Sequence, residues 1–373
     1  MKFSNGNKHT FLPELKKRVD AHLAGKPNGG YADTSLWLKG LLLMLLYLVS
    51  YAVVFLPGLP LAAKATAYAA MGLTGVMLVF NLVHDASHNA LSGRRWINRS
   101  VTRLGDLLGI NMHIWNIRHN IQHHTFTNAL GGDLIIENIP LLRLSPHQPF
   151  KSFHRYQVYY APLLYLCYSF YWMFVIDFKL FLMKDICNLH NIKHPLREWV
   201  ILFLSKLFYV GYVVLAPWWL TPLSFGEVMI CFAAMHAAAG LLLSTIALLG
   251  HFVEGPVFPD TSNGVIDNSW SEHELDATID FAPNSRVVHA ITGGLNTHVA
   301  HHLFPTLCHT HYYSVTRIIE AFCNERGLTY RKESFIGGMR SHVRHLRNLS
   351  QQNPKTSMAA SVFPAMELEE TVA

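Results

Sequence analysis

Apolar residues along the chain gather into five long runs, at about 36–56, 62–83, 157–178, 199–220 and 227–250, separated by polar stretches. About 20 apolar residues suffice for a helix to cross a bilayer. The first two runs join through Pro57-Gly-Leu-Pro60, a tight-turn signal, and read as a helical hairpin. The last two join through Thr221-Pro-Leu-Ser224, which carries no Lys or Arg. The run at 157–178 is different in kind. Tyr159, Tyr160, Tyr165, Tyr168, Phe170, Tyr171, Trp172 and Phe174 make it aromatic, a composition that favours the membrane interface. Residues 1–34 are polar and basic and lack a signal-peptide core. Residues 350–373 end acidic and read as disordered.

Composition agrees with a bilayer protein. Of 373 residues, 51% are hydrophobic and only 14% charged, against about 25% charged in soluble domains. The formal net charge is +6. Without a compact basic run interleaved with aromatics, this favours attraction to an anionic leaflet over nucleic-acid binding. The five cysteines, at 167, 187, 231, 308 and 323, show no CxxC spacing and do not suggest a disulfide framework.

The 23 histidines nearly match the 24 carboxylates. Eight of them lie in three clusters: His84-Asp-Ala-Ser-His88, His119-Asn-Ile-Gln-His123-His124 and His298-Val-Ala-His301-His302. On a helix, residues three or four apart share one face. His251, at the end of the last apolar run, makes a ninth candidate at the depth of His84. Nine imidazoles exceed what one structural zinc takes and suit two ions with four or five ligands each and open positions. Neutral ligands and no thiolate suit iron cycling with dioxygen. Carboxylate-rich di-iron bundles use paired Glu and Glu-x-x-His, a pattern not built here. Asp85 and Glu254 are the carboxylates expected to orient imidazoles from outside the ligand set. His113, His236, His273, His289, His309 and His311 read as structural, with His236 packing against a neighbouring helix.

All three clusters must share one membrane side to hold one metal centre. Two crossings, not three, must then separate the second cluster from the third. The aromatic run at 157–178 is therefore the interfacial one. Lys179, Lys184, Lys193, Arg197 and the arginines at 94, 95, 99, 103 and 118 fall on the same side as the clusters, satisfying the positive-inside rule. The expected fold is an all-α integral membrane protein with about four transmembrane helices, at 36–56, 62–83, 199–220 and 227–250. A His-rich cytosolic cap, 84–198 and 251–349, completes a domain spanning 35–349.

The clusters resemble the three histidine boxes of the membrane fatty acid desaturases. The resemblance runs from about residue 60 to 330 and includes His123-His124-Thr-Phe-Thr-Asn128, Gly132-Asp133, Gly250-His251-Phe-Val-Glu254, Trp270, His273, Phe281, Gly293-Gly-Leu-Asn296 and His301-His302-Leu-Phe-Pro305. It is most similar to the bacterial acyl-CoA or acyl-lipid linoleoyl-type branch, without the HPGG motif of a fused cytochrome b5. The resemblance implies two irons under a cytosolic cap, His251 as a true ligand, and a bent tunnel for one fatty acyl chain. Two positions depart from its patterns. His298 stands where the front-end branch carries Gln. Ala247 stands one turn before His251, where animal stearoyl-type relatives carry an Asn.

The function so implied is oxygen-dependent insertion of a cis double bond into a fatty acyl chain, carried on CoA or lipid. No flavin, haem or iron–sulfur motif is visible, so electrons are expected from a separate ferredoxin or cytochrome b5 with its reductase. Bacterial kinship favours an inner membrane over an endoplasmic reticulum. A histidine-box hydroxylase or ketolase acting on a lipid, alkane or carotenoid is the nearest alternative, because it shares the first hydrogen abstraction. A metal transporter is a more distant one, since its ligands belong at the bilayer midplane.

Overall fold

The computed structural model describes residues 1–4, 11–137 and 139–352, and over these the chain is almost entirely helical. Of the tail expected to be disordered, all but 350–352 lies outside the described residues. Helix α1 (Phe11–Leu23) precedes a hairpin of α2 (Thr34–Val54) and α3 (Leu61–Ser87). Helix α4 covers 112–123, α5 Ser152–Leu182, α6 Leu196–Leu220 and α7 Phe225–Leu249. Among the shorter helices that follow are α8 (Trp270–Ala277), α9 (His298–Leu303), α10 (Tyr312–Glu325) and α11 (Phe335–Leu349). Two parallel pairs of two-residue strands, Lys2–Phe3 with Val265–Ile266 and Asp280–Phe281 with Lys332–Glu333, tie the polar regions together.

Helices α2 and α7 begin at side-chain caps that the sequence supplies. The Asp33 carboxylate accepts from the Leu36 backbone N–H at 3.0 Å. Ser224 and Glu227 form a reciprocal capping box at the start of α7. Helix α3 packs against both α2 and α7, and α7 packs against α5. The α5–α7 crossing is close because Gly240 has no side chain. A Cβ there would stand 2.5 Å from the Tyr165 carbonyl oxygen.

Among the described residues, five helices are long and apolar enough to cross a membrane: α2, α3, α5, α6 and α7. Their bounds differ from the sequence runs by a few residues, most in α5, which starts five residues earlier and ends four later, while α3 continues to Ser87. The aromatic run forms α5, and its two ends meet the same polar body. At its start, Gln157 Nε2 donates to the Leu346 carbonyl of α11 at 2.9 Å. Near its end, the Asp177 carboxylate accepts from the Asn111 backbone N–H at 2.9 Å and from Lys206 at 2.6 Å. Phe181 then packs against His113 and His194. The middle of α5 lies against α7, where Ser169 Oγ bonds His236 Nδ1 and its carbonyl, each at 2.9 Å. Tyr209 caps the other ring nitrogen of His236 at 3.2 Å. This histidine is thus the helix-packing residue the sequence suggests.

Candidate metal centre

The nine imidazoles arrive from four places. His84 and His88 sit at the end of α3, where the helix widens to a π-helical turn over Val79–Val83. The whole stretch Asn116–His123 of α4 is π-helical as well. Wider turns of this kind recur at functional sites because they re-aim side chains. His251 follows the last turn of α7, and His298, His301 and His302 lie on α9. Gly250 permits the closest approach, since a Cβ there would stand 2.5 Å from the His298 ring.

The rings divide into two sets. His84, His88, His119 and His301 form the first; His123, His251, His298 and His302 form the second; His124 stands between, grouped with His301 and His302. In each group the ligating nitrogens lie within 4.8 Å of one another. The division does not follow the sequence clusters. His119 and His123, four residues apart, serve different sets, and so do His301 and His302. The π-helical backbone of α4 breaks the one-face expectation for the second cluster, and adjacency on α9 breaks it for the third.

The protons decide what the second set can hold. His123 Nδ1 faces the Asp133 carboxylate at 2.9 Å, and His302 Nδ1 faces Glu274 at 2.6 Å. His251 Nδ1 donates to the Ala277 carbonyl at 3.2 Å, and His298 Nδ1 to the Leu295 carbonyl at 3.0 Å. Each neutral ring therefore carries its proton on Nδ1 and turns a bare Nε2 lone pair inward. The Nε2 atoms of His123 and His251 are 3.1 Å apart, and those of His298 and His251 are 2.7 Å apart. Lone pairs cannot meet so closely without a cation between them. Nitrogens bound ~2.1 Å from a common ion stand about 3 Å from each other. In the first set, the Nε2 atoms of His84 and His119 are 3.1 Å apart. His88 Nε2, His301 Nε2 and His302 Nε2 are buried with no hydrogen-bond partner among the described residues. Such orphan acceptors fit metal ligation.

Burial keeps the rings uncharged and so free to ligate. It pushes the imidazoles of His119, His124, His251, His301 and His302 well below the usual 6.5, and neighbouring rings add to the effect. His298 is brought down to about 3, chiefly by burial.

The carboxylates differ from the expected pair. Glu254 points outward, with Arg344 Nε 2.5 Å from its oxygen, because the chain turns sharply after α7. It reaches no ligand. Asp85 lies 3.7 Å from His84 Nδ1, too far for a hydrogen bond. One of its oxygens instead accepts from the His309 ring at 2.7 Å and the His309 backbone at 3.1 Å, fastening residues 308–309 to the first box. The groups that orient imidazoles are Asp133 and Glu274. Asp133 stands in the Gly132-Asp133 motif, so a signal existed. Glu274 sits in a helix whose polar residues are buried, and nothing local in the sequence marks it. The remaining histidines hold backbone: His273 bonds the Thr127 carbonyl, His289 that of His309, and His311 that of Tyr31. His113 pairs with His194.

A narrow cavity of about 60 Å³ borders both sets, touching His119, His123, His251 and His298. Phe80, Ile135, Leu243, Ile246, Ala247 and Leu295 make most of its wall apolar. One neighbouring cavity shares Ile135, Tyr168 and Ala247 with it, and another shares Trp172 and Leu243. Arg118, one of the arginines counted for the positive-inside rule, is buried and lines the central cavity.

The profile of the family described as fatty acid desaturase matches residues 58–334. The sn-1 linoleoyl-lipid 6-desaturase of Synechocystis sp. is 34% identical over 349 residues, covering 92% of this chain and 96% of that protein. The protein of the same name from Arthrospira platensis is 31% identical over 362 residues, covering 95% and 96%. The acyl-lipid (8-3)-desaturase of Physcomitrium patens is 25% identical, covering 94% of this chain and 73% of its own length. The chain belongs to the fatty acid desaturase family: it is an oxidoreductase that desaturates a fatty acyl chain, with a histidine metal site and membrane helices.

Proposed function

We propose that this desaturase acts on a glycerolipid-bound acyl chain through two iron ions, with dioxygen as co-substrate, on the cytoplasmic face of an inner membrane. The observation that carries the reading is the pair of four-imidazole sets, with His124 between them, beside an apolar cavity. In this reading one ion is held by His84, His88, His119 and His301, the other by His123, His251, His298 and His302, with His124 available to either. Iron so bound supplies the oxidising power to remove two hydrogens from adjacent methylenes as dioxygen is reduced to water with two electrons from outside the chain.

The side chains supply position and dryness. Asp133, Glu274 and two carbonyls keep the protons of the second set on Nδ1, so no ring presents an N–H to the ion. Phe80, Leu243 and Ile246 exclude water and align the acyl chain, and the adjoining cavities offer further apolar space beside it. No side chain acts as general acid or base on the substrate. The named relatives favour a linoleoyl chain at the sn-1 position and a double bond at position 6. His298 is compatible with this, because its ring takes the place of a Gln as one more inward-facing donor atom.

Helices α2, α3, α6 and α7 cross the bilayer in this reading, while α5 lies at the interface. The support is that both ends of α5 bond to the polar body holding the imidazoles. The cap, 84–198 and 251–349, then lies in the cytosol. Arg95, Arg99 and Arg197 border a broad polar basin there that suits an acidic ferredoxin or a cytochrome b5.

The test is expression in cells that make linoleoyl lipids but no further unsaturated product. Lipid mass spectrometry should find a loss of two hydrogens, and purified protein should hold two irons per chain. A gain of one oxygen instead would identify a hydroxylase.

A further inference from the structure

Apart from the four imidazoles and the Tyr168 hydroxyl, the polar groups that line the cavity beside the two sets only donate. Arg118, Trp115 and Trp172 line it, and all three are at least nine-tenths buried. Arg118 Nη1, Trp115 Nε1 and Trp172 Nε1 have no hydrogen-bond partner among the described residues. The three are assembled as a unit. The indoles stack with centroids 5.2 Å apart, and the guanidinium lies 4.7 Å over the Trp172 ring. Arg118 Nη2 donates to the Tyr168 hydroxyl. No carboxylate pairs with Arg118 among the described residues, and the nearby Asp177 is bound to Lys206 at 2.6 Å.

A buried cation and two buried indole N–H groups without acceptors are costly. Their cost is relieved by an acceptor that enters the cavity. A fatty acyl chain is hydrocarbon except at its head, where the ester carbonyl is the acceptor. We infer that Arg118, with the indole N–H groups of Trp115 and Trp172, binds the ester carbonyl of the acyl lipid. The inference rests on the acyl-lipid reading above and deepens it. A carbonyl held there, in a cavity that also touches His119, His123, His251 and His298, brings methylenes only a few bonds from the ester against the ligands. Regiochemistry is thereby counted from the carboxyl end, and the Arg118 guanidinium is its ruler.

The test compares a glycerolipid carrying a C18 chain in sn-1 ester linkage with its sn-1 ether counterpart, using iron-loaded protein in vesicles. Binding is read by competition, and the double-bond position by mass spectrometry of the product. The wild type should prefer the ester by about tenfold or more, as a hydrogen bond to a charged donor implies. Arg118→Met should lose most of that preference and scatter the double bond over neighbouring positions. Trp172→Phe, which keeps the ring and removes one donor, should lose a few-fold of the preference with iron content unchanged. It decides the matter if Arg118→Met loads iron poorly. An equal affinity of wild type for ester and ether overturns the inference. So does an unchanged ester preference and an unchanged double-bond position in the variants. If the wild type desaturates neither lipid, the acyl-lipid reading fails instead, which is a different result.

Discussion

The two imidazole sets are alike in composition and unlike in support. Every ring of the second set has an acceptor for its Nδ1 proton: two carboxylates and two carbonyls. Among the described residues, in the first set, His84 Nδ1 has no hydrogen-bond partner, the Asp85 carboxylate lying 3.7 Å away, and His301 Nδ1 has only the Tyr312 hydroxyl at 3.3 Å. The bridging His124 also leaves Nδ1 unpartnered. The second set is therefore preorganised by the fold, with tautomer and ring direction fixed before any ion arrives. The first draws more of its order from the ion it holds. An outer partner on a ligating imidazole changes metal affinity or activity by about 10–100-fold when removed, so in the two-ion reading proposed above the two sets should hold metal unequally.

The largest effect should come from His301→Ala, which strikes the first set and the group that contains His124 and His302. Product should vanish and bound iron should fall together; full activity in that variant would sink the assignment. Glu274→Ala should come next, lowering iron affinity about 10–100-fold, whereas Asp85→Asn should weaken binding less, since Asp85 bonds His309 and not His84. Equal losses in the two variants, measured by iron titration, would erase the asymmetry. Chelation should be biphasic, with the ion of the first set leaving first. A single phase releasing both ions would show that the sets are held alike.

The smallest effect concerns pH and the ion-free protein. Burial holds His251 and His302 well below 6.5 and His298 at about 3, so the folded rings stay neutral where the unfolded chain takes up protons. Stability should thus be complete above about pH 6.5 and decline as pH falls below it, by up to ~1.4 kcal/mol per pH unit for each such ring. The thermal midpoint of ion-free protein in detergent, followed from about pH 7.5 to 5, measures this. A midpoint that rises on acidification would contradict the burial of the rings.

The gathering of the nine imidazoles was legible because so many in so few short segments have little other chemical use. The five long helices were legible from their apolar runs. What stayed hidden depends on backbone that spacing does not encode. His119 and His123 part company because Asn116–His123 is π-helical. Glu254, near His251 in sequence, is turned away by the bend after α7, while Glu274, 28 residues from His302, reaches it. In the sequence Arg118 differs in nothing from the arginines at 94, 95, 99 and 103; only packing shows it buried against the Trp172 ring.

The interleaving of the sets bears on how the protein is made. His301 completes a set begun at His84, and His123 meets His251 across 128 positions of sequence. In the two-ion reading, neither ion would have its full coordination until α9 has left the ribosome and docked against α3 and α4. Loading is then the closing event of biogenesis rather than an early guide to folding. A chain truncated before residue 298 would insert its apolar segments and still be unable to mature, and ion supply during synthesis should govern how much protein matures, not how much is inserted.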